Sequence, residues 1–203
     1  MDTAVNNAVV HHRFTRALHW ASALAIVIGV GAIFAREYVE PLASRAFLLA
    51  LHQGMGLLVL SFAMIRLTTR WPLKVAQRNS YLAMPLRLAS ALEHLALYCN
   101  LLALPIIGWL LTNARGQVAY LLWLVPLPAL TERDRDYADT LQDWHTNAAW
   151  ILLILVTTHV AAALYHHFVR RDNVLRSMLP FLRPAGAAPV ENKSPSIDLS
   201  EQL

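Results

Sequence analysis

Apolar residues along the chain gather into four long runs separated by polar stretches. The first is Ala17–Ala35, broken by His19, Trp20 and Ser22 and closed by Arg36 and Glu37. The second is Ala46–Leu67, with His52, Gln53 and Arg66 inside it. The third is Leu88–Thr112, carrying Glu93 and His94 near its start and Pro105 and Gly108 further on. The fourth is Trp144–Val169, interrupted by His145, Asn147, Thr157, Thr158, His159, His166 and His167. Each run covers about 19–26 residues, which at ~1.5 Å rise per residue spans a ~30 Å hydrocarbon layer. Hydrocarbon offers no partner to unpaired backbone groups, so the pattern predicts helices. The expected fold is all-α, an integral membrane four-helix bundle with helices over about 17–35, 46–67, 88–112 and 144–169. Tyr120–Pro128, between the third and fourth runs, is too short and proline-rich to span, and reads as an interfacial cap with an aromatic anchor. Residues 1–183 are expected to form one domain, followed by a disordered cytoplasmic tail over 184–203.

Charge gives the runs a direction. The N-terminal segment, the second loop and the C-terminal tail hold twelve of the 17 lysines and arginines, and the first and third loops hold five. Under the positive-inside rule both termini are cytoplasmic. Glu132, Asp134, Asp136, Asp139 and Asp143 crowd the third loop, on the opposite side. Composition agrees: 57% of residues are apolar and 15% charged, against roughly 45–50% and 25% in soluble domains. That balance excludes a disordered chain, a disulfide-rich module and most soluble enzymes. The net charge of +4 sits in short clusters between apolar runs, so it marks topology and not a nucleic-acid surface. Cys99 is the only cysteine, which leaves no disulfide and no CxxCH for covalent haem attachment. No A-x-A-like site follows the first run, and no cleaved signal peptide is expected.

The candidate chemistry lies in the polar residues inside the runs. A histidine at membrane depth is costly and points to function. His145 and His159 are 14 residues apart, so they leave one face of the fourth helix ~21 Å from each other along its axis. His19 lies just inside the cytoplasmic end of the first helix, and His52 about six residues inside the outer end of the second. Their vertical separation is then about 18 Å, close to that of the fourth-helix pair. The fourth helix enters from outside, which pairs His52 with His145 on the outer side and His19 with His159 on the inner side, provided that the helix sits about 12 Å lower than its apolar run suggests. Two imidazoles are an incomplete shell for zinc. They do complete a haem, whose porphyrin leaves two axial positions. Without CxxCH, two noncovalent b-type haems are expected, suited to outer-sphere electron transfer.

The stretches Arg16–Trp20, His52–Gly56, Leu104–Gly108, Asp143–His145 and His159–His167 resemble the bacterial cytochrome b561 family of di-haem membrane proteins. The resemblance covers nearly the whole chain before the tail and is closest to the superoxide oxidase branch. It implies His19, His52, His145 and His159 as haem-iron ligands in the inner membrane, with periplasmic superoxide as electron donor and ubiquinone as acceptor. It also matches His166, seven residues beyond His159, to a histidine of the quinone site; the rival reading is a simple interfacial histidine. Arg66, 14 residues after His52, reads either as a partner for a propionate or quinone or as a snorkelling arginine. Arg115 reads as an attractor of anions or a partner for an outer propionate, although the acids of the same loop oppose an anionic substrate. His94 is a quinone contact, an alternative inner ligand or a bland interfacial residue, and His11 and His12 are solvated. The leading functional reading is an oxidoreductase of the superoxide:ubiquinone type. Its alternative is a non-catalytic haem-b relay fed by a partner dehydrogenase, hydrogenase or cytochrome; a homodimer is compatible with either.

Overall fold

The computed structural model describes residues 2–70 and 84–170. Four long helices follow one another: α1 (Asp2–Ala35), α2 (Leu42–Arg70), α3 (Met84–Ala114) and α4 (Arg135–Phe168). A small hairpin of β1 (Tyr120–Leu121) and β2 (Val125–Pro126) interrupts the connection between α3 and α4. All four helices are long and apolar enough to cross a membrane. The proposed tail over 184–203 lies outside the described residues. The chain divides into two compact units, Met1–Ala162 and Ala163–Leu203.

The helices outrun the apolar runs because their ends carry polar residues that belong in the headgroup region. The clearest case is α4, which begins at Arg135, nine residues before Trp144. Asp134 caps it: the Tyr137 amide donates to Asp134 Oδ1 at 3.0 Å, and Asp136 lies in the first turn, where a negative charge suits the helix dipole. His145 therefore sits well inside the helix instead of at its mouth. At the other side of the connection α3 stops at Gly116, whose φ of +79° is open to glycine at little cost. The Gly116 amide donates to the Asn113 carbonyl at 2.7 Å and the Gln117 amide to Thr112 at 3.0 Å, the paired bonds of a left-handed C-terminal cap.

Within segment 120–128 the chain forms a short hairpin, with Leu122 and Trp123 both in the left-handed region (φ 52° and 59°). That conformation costs a residue with a Cβ roughly 1–2 kcal/mol, and a tertiary contact offsets it. Trp123 Nε1 donates to the Ala50 carbonyl at 3.0 Å, and its ring lies over Gly54, where an added Cβ would come within 2.5 Å of the indole.

Packing among the helices is uneven. On α1 the buried residues Leu18, Ser22, Ala25, Gly29 and Ala32 form one stripe, mostly of small side chains. Small residues let two helix backbones approach closely in a bilayer, and α1 lies close along α2, with α3 on α2's other flank. The part of α4 in the first unit stands back from the other three and, within the described residues, buries only Ala138, Leu141 and Leu152. Side chains bridge the gap.

Candidate functional site

His52 and His145 face each other across one end of that gap, their ring centres 5.9 Å apart with an interplanar angle of 79°. His52 Nδ1 donates to the Gly29 carbonyl of α1 at 2.9 Å. A carbonyl only accepts, so Nδ1 carries the proton and Nε2 keeps its lone pair, the arrangement of a metal-ligating histidine with an outer-shell partner. The α3 backbone comes close to His145 on the other side. Pro105 removes one helical amide there, and Gly108 removes a side chain: a Cβ at Gly108 would come within 3.1 Å of His145 Cε1. The His145 Nδ1 atom is buried and makes no well-formed hydrogen bond, although the Leu104 backbone interacts with the ring.

At the other end of the gap His19 of α1 and His159 of α4 face each other, with ring centres 6.2 Å apart and planes at 62°. His94 of α3 joins them, its ring 5.5 Å from that of His159. The His94 Nδ1 donates to the Ser90 carbonyl at 2.6 Å, which fixes its tautomer as it does for His52. Arg66 does not snorkel. Its side chain is 8% exposed and reaches from α2 to α1, donating to the Leu18 carbonyl at 2.6 Å and Ser22 Oγ at 3.1 Å. Those partners flank His19, so the guanidinium braces the turn that carries one of the facing imidazoles.

The donor set discriminates among cofactors. Among the described residues no group of three or more His, Cys, Asp or Glu side chains is placed to hold a bare metal ion. Two imidazoles on one iron, each nitrogen about 2 Å from the metal, put the ring centres about 6 Å apart. The separations of 5.9 and 6.2 Å match that span. The glycine at 108 and the proton-fixed His52 suit a flat macrocycle held between imidazoles. The residues fit two porphyrins.

Other polar groups cluster at the ends. At the hairpin end Arg115 donates to Gln142 Oε1 of α4 at 2.9 Å. With Arg133, Arg135 and Asp139 it lines an open pocket of about 210 Å³. Sequence reading singled out Arg115 there and missed Arg133 and Arg135, whose neighbours in the chain are acidic. At the opposite end of the gap Thr158 donates to Glu93 at 2.9 Å, a contact between residues 65 positions apart that no spacing rule reveals. His166 and His167 lie in the last turn of α4, in the second unit, where their rings pack edge-on against Tyr165 and Phe168.

Four membrane-length helices with two facing imidazole pairs stacked along one of them have the donor set of a metalloporphyrin-binding membrane bundle. The comparison with protein families narrows this. The profile of the family described as prokaryotic cytochrome b561 matches residues 10–181, and the chain belongs to that family. It is 32% identical over 176 residues to cytochrome b561 homolog 2 of Escherichia coli, covering 80% of this chain and 87% of that one. Against the probable superoxide oxidase CybB of Yersinia pestis it is 28% identical over 166 residues, covering 80% of this chain and 92% of the relative. Cytochrome b561 homolog 1 of Escherichia coli is also 28% identical, over 169 residues. The chain is thus a multi-pass bacterial membrane protein of an electron-transfer family, and membership implies haem b.

Proposed function

We propose that the chain holds two haem b groups, one between His52 and His145 and one between His19 and His159, and carries single electrons from periplasmic superoxide to ubiquinone. The observation that carries the reading is the pair of facing imidazole couples at ~6 Å, about 21 Å apart along α4. Held by two imidazoles, haem b would supply one-electron transfer there. With both termini cytoplasmic in the inner membrane, the hairpin and the His52/His145 pair lie on the periplasmic side. There Arg115, Arg133 and Arg135 surround one pocket and attract a small anion despite the acids between them. Two superoxide ions give up one electron each and leave as dioxygen. Two electrons and two cytoplasmic protons convert the quinone to quinol. We assign Arg66 to an inner propionate or the quinone.

Resemblance to a probable superoxide oxidase supports the substrate, at 28% identity. A relay fed by a protein partner is the second reading, favoured by Glu132, Asp134, Asp136 and Asp139, all exposed at the hairpin end, where they suit a basic partner. Stopped-flow mixing with superoxide, with and without quinone, separates the two. Rapid haem reduction followed by quinone-dependent reoxidation is expected. Slow reduction by superoxide beside rapid reduction by a co-purifying protein would establish the relay.

A further inference from the structure

The two histidine pairs differ in the charge set beside them, and the difference lies mostly in α3. At its hairpin end α3 leads into Arg115, whose guanidinium acts on the His145 ring. Toward its start it carries Glu93, whose carboxylate acts on the His159 ring. That carboxylate is held in place. The Thr158 hydroxyl, on the residue before His159, lies 2.9 Å from Glu93 Oε1, nearer than the Leu155 and Ile154 carbonyls of its own helix at 3.0 and 3.1 Å, and its single proton given to Glu93 adds a second side-chain tie from α3 to α4 beyond that of Asn100 to the Ala148 carbonyl. Glu93 is half-buried within an apolar run, where solvent screens a charge less than at an open surface.

We propose that Glu93, clamped by Thr158, is a positioning residue that sets the reduction potential of the haem at His19/His159. The inference rests on the two-haem reading above and extends it. A negative charge beside a haem favours the oxidised iron, which carries one more positive charge than the reduced form, and so lowers the potential. Glu93 thereby makes the centre nearer the quinone a stronger donor than it would be with Arg66 alone beside it. The His52/His145 centre has Arg115 as its neighbour and feels the opposite sign. Transfer from the outer to the inner centre is then uphill and is drawn forward by reduction of the quinone, a step height set partly in α3 and not by the histidines, which are the same at both sites.

The test is a spectroscopic redox titration of the purified haem-loaded protein, comparing the native chain with Glu93→Gln, Glu93→Lys and Glu93→Asp. The expected result is that one of two midpoints rises in Glu93→Gln and rises further in Glu93→Lys, while the other stays in place. Glu93→Asp returns the moved midpoint most of the way. Thr158→Val, which keeps the carboxylate but releases it, gives a smaller rise of the same sign. A merely structural role would alter haem retention or thermal stability without this ordering by charge. Two retained haems with both midpoints unmoved in Glu93→Gln overturn the inference alone. A native chain that binds fewer than two haems overturns the two-site reading and this inference with it.

Discussion

The two facing histidine pairs are alike in residue type and unlike in what surrounds the imidazoles. The His52/His145 pair is fixed by backbone: Gly29 supplies the carbonyl for His52, and Gly108 clears the space beside His145. The His19/His159 pair is fixed by side chains: Arg66 braces the turn around His19, and Glu93 grips the residue before His159. Backbone holds position but carries no net charge. Side chains hold position and also set a local field. One pair is thus built for a rigid fit and the other for electrostatic tuning, which suits an electron path with distinct entry and exit ends.

Removing a ligand breaks the comparison most severely. His145→Leu should lose the haem at the hairpin end and His159→Leu the other, each halving the haem content, as measured against protein mass. Loss of both from one substitution would mean that the sites are not independent. The next largest effect concerns the glycine notch. Gly108→Leu drives a side chain into His145 and should empty or distort that site alone, seen as loss of one of two EPR signals. Gly31→Ala, where nothing lies within 4 Å, is the control and should leave both signals intact. Equal damage from the two changes would show that the notch is not what fixes His145.

Charge changes sharpen the contrast more gently. Arg66→Gln removes a buried positive charge near His19 and should lower the midpoint assigned to that pair, opposite in sign to Glu93→Gln. The same shift at both haems would place Arg66 elsewhere in the field. Smallest of all, Arg133→Gln with Arg135→Gln should slow reduction by superoxide by about 3–10-fold at low ionic strength, a deficit that fades toward 0.5 M salt. A deficit independent of salt would argue against steering.

The parts legible in the sequence were those carried by periodicity. Four apolar runs identify the helices, and 14 residues between His145 and His159 place two imidazoles on one face. Matched vertical separations of about 18 and 21 Å select His52 and His19 as their partners once the fourth helix is set about 12 Å lower than its apolar run suggests, and the structure brings those rings together at 5.9 and 6.2 Å. The features that stayed hidden depend on contacts between distant positions. Trp123 reaches Ala50 across 73 residues, and it does so through a backbone conformation that no apolar-polar pattern signals. Arg133 and Arg135 alternate with acids along the chain, so their convergence with Arg115 exists only in three dimensions. Glu93 reads as one polar residue near a helix end until Thr158 is seen to hold it. For Arg66 the sequence left two roles open, and burial removes the snorkelling one.

Two porphyrins between the facing imidazoles require a haem stoichiometry of two. Protein purified in mild detergent should yield about two noncovalent haem b per chain by pyridine haemochrome analysis against quantitative amino-acid analysis. Both should show low-spin bis-histidine EPR signals. One haem per chain, none, or a high-spin centre with an open axial position would contradict the account.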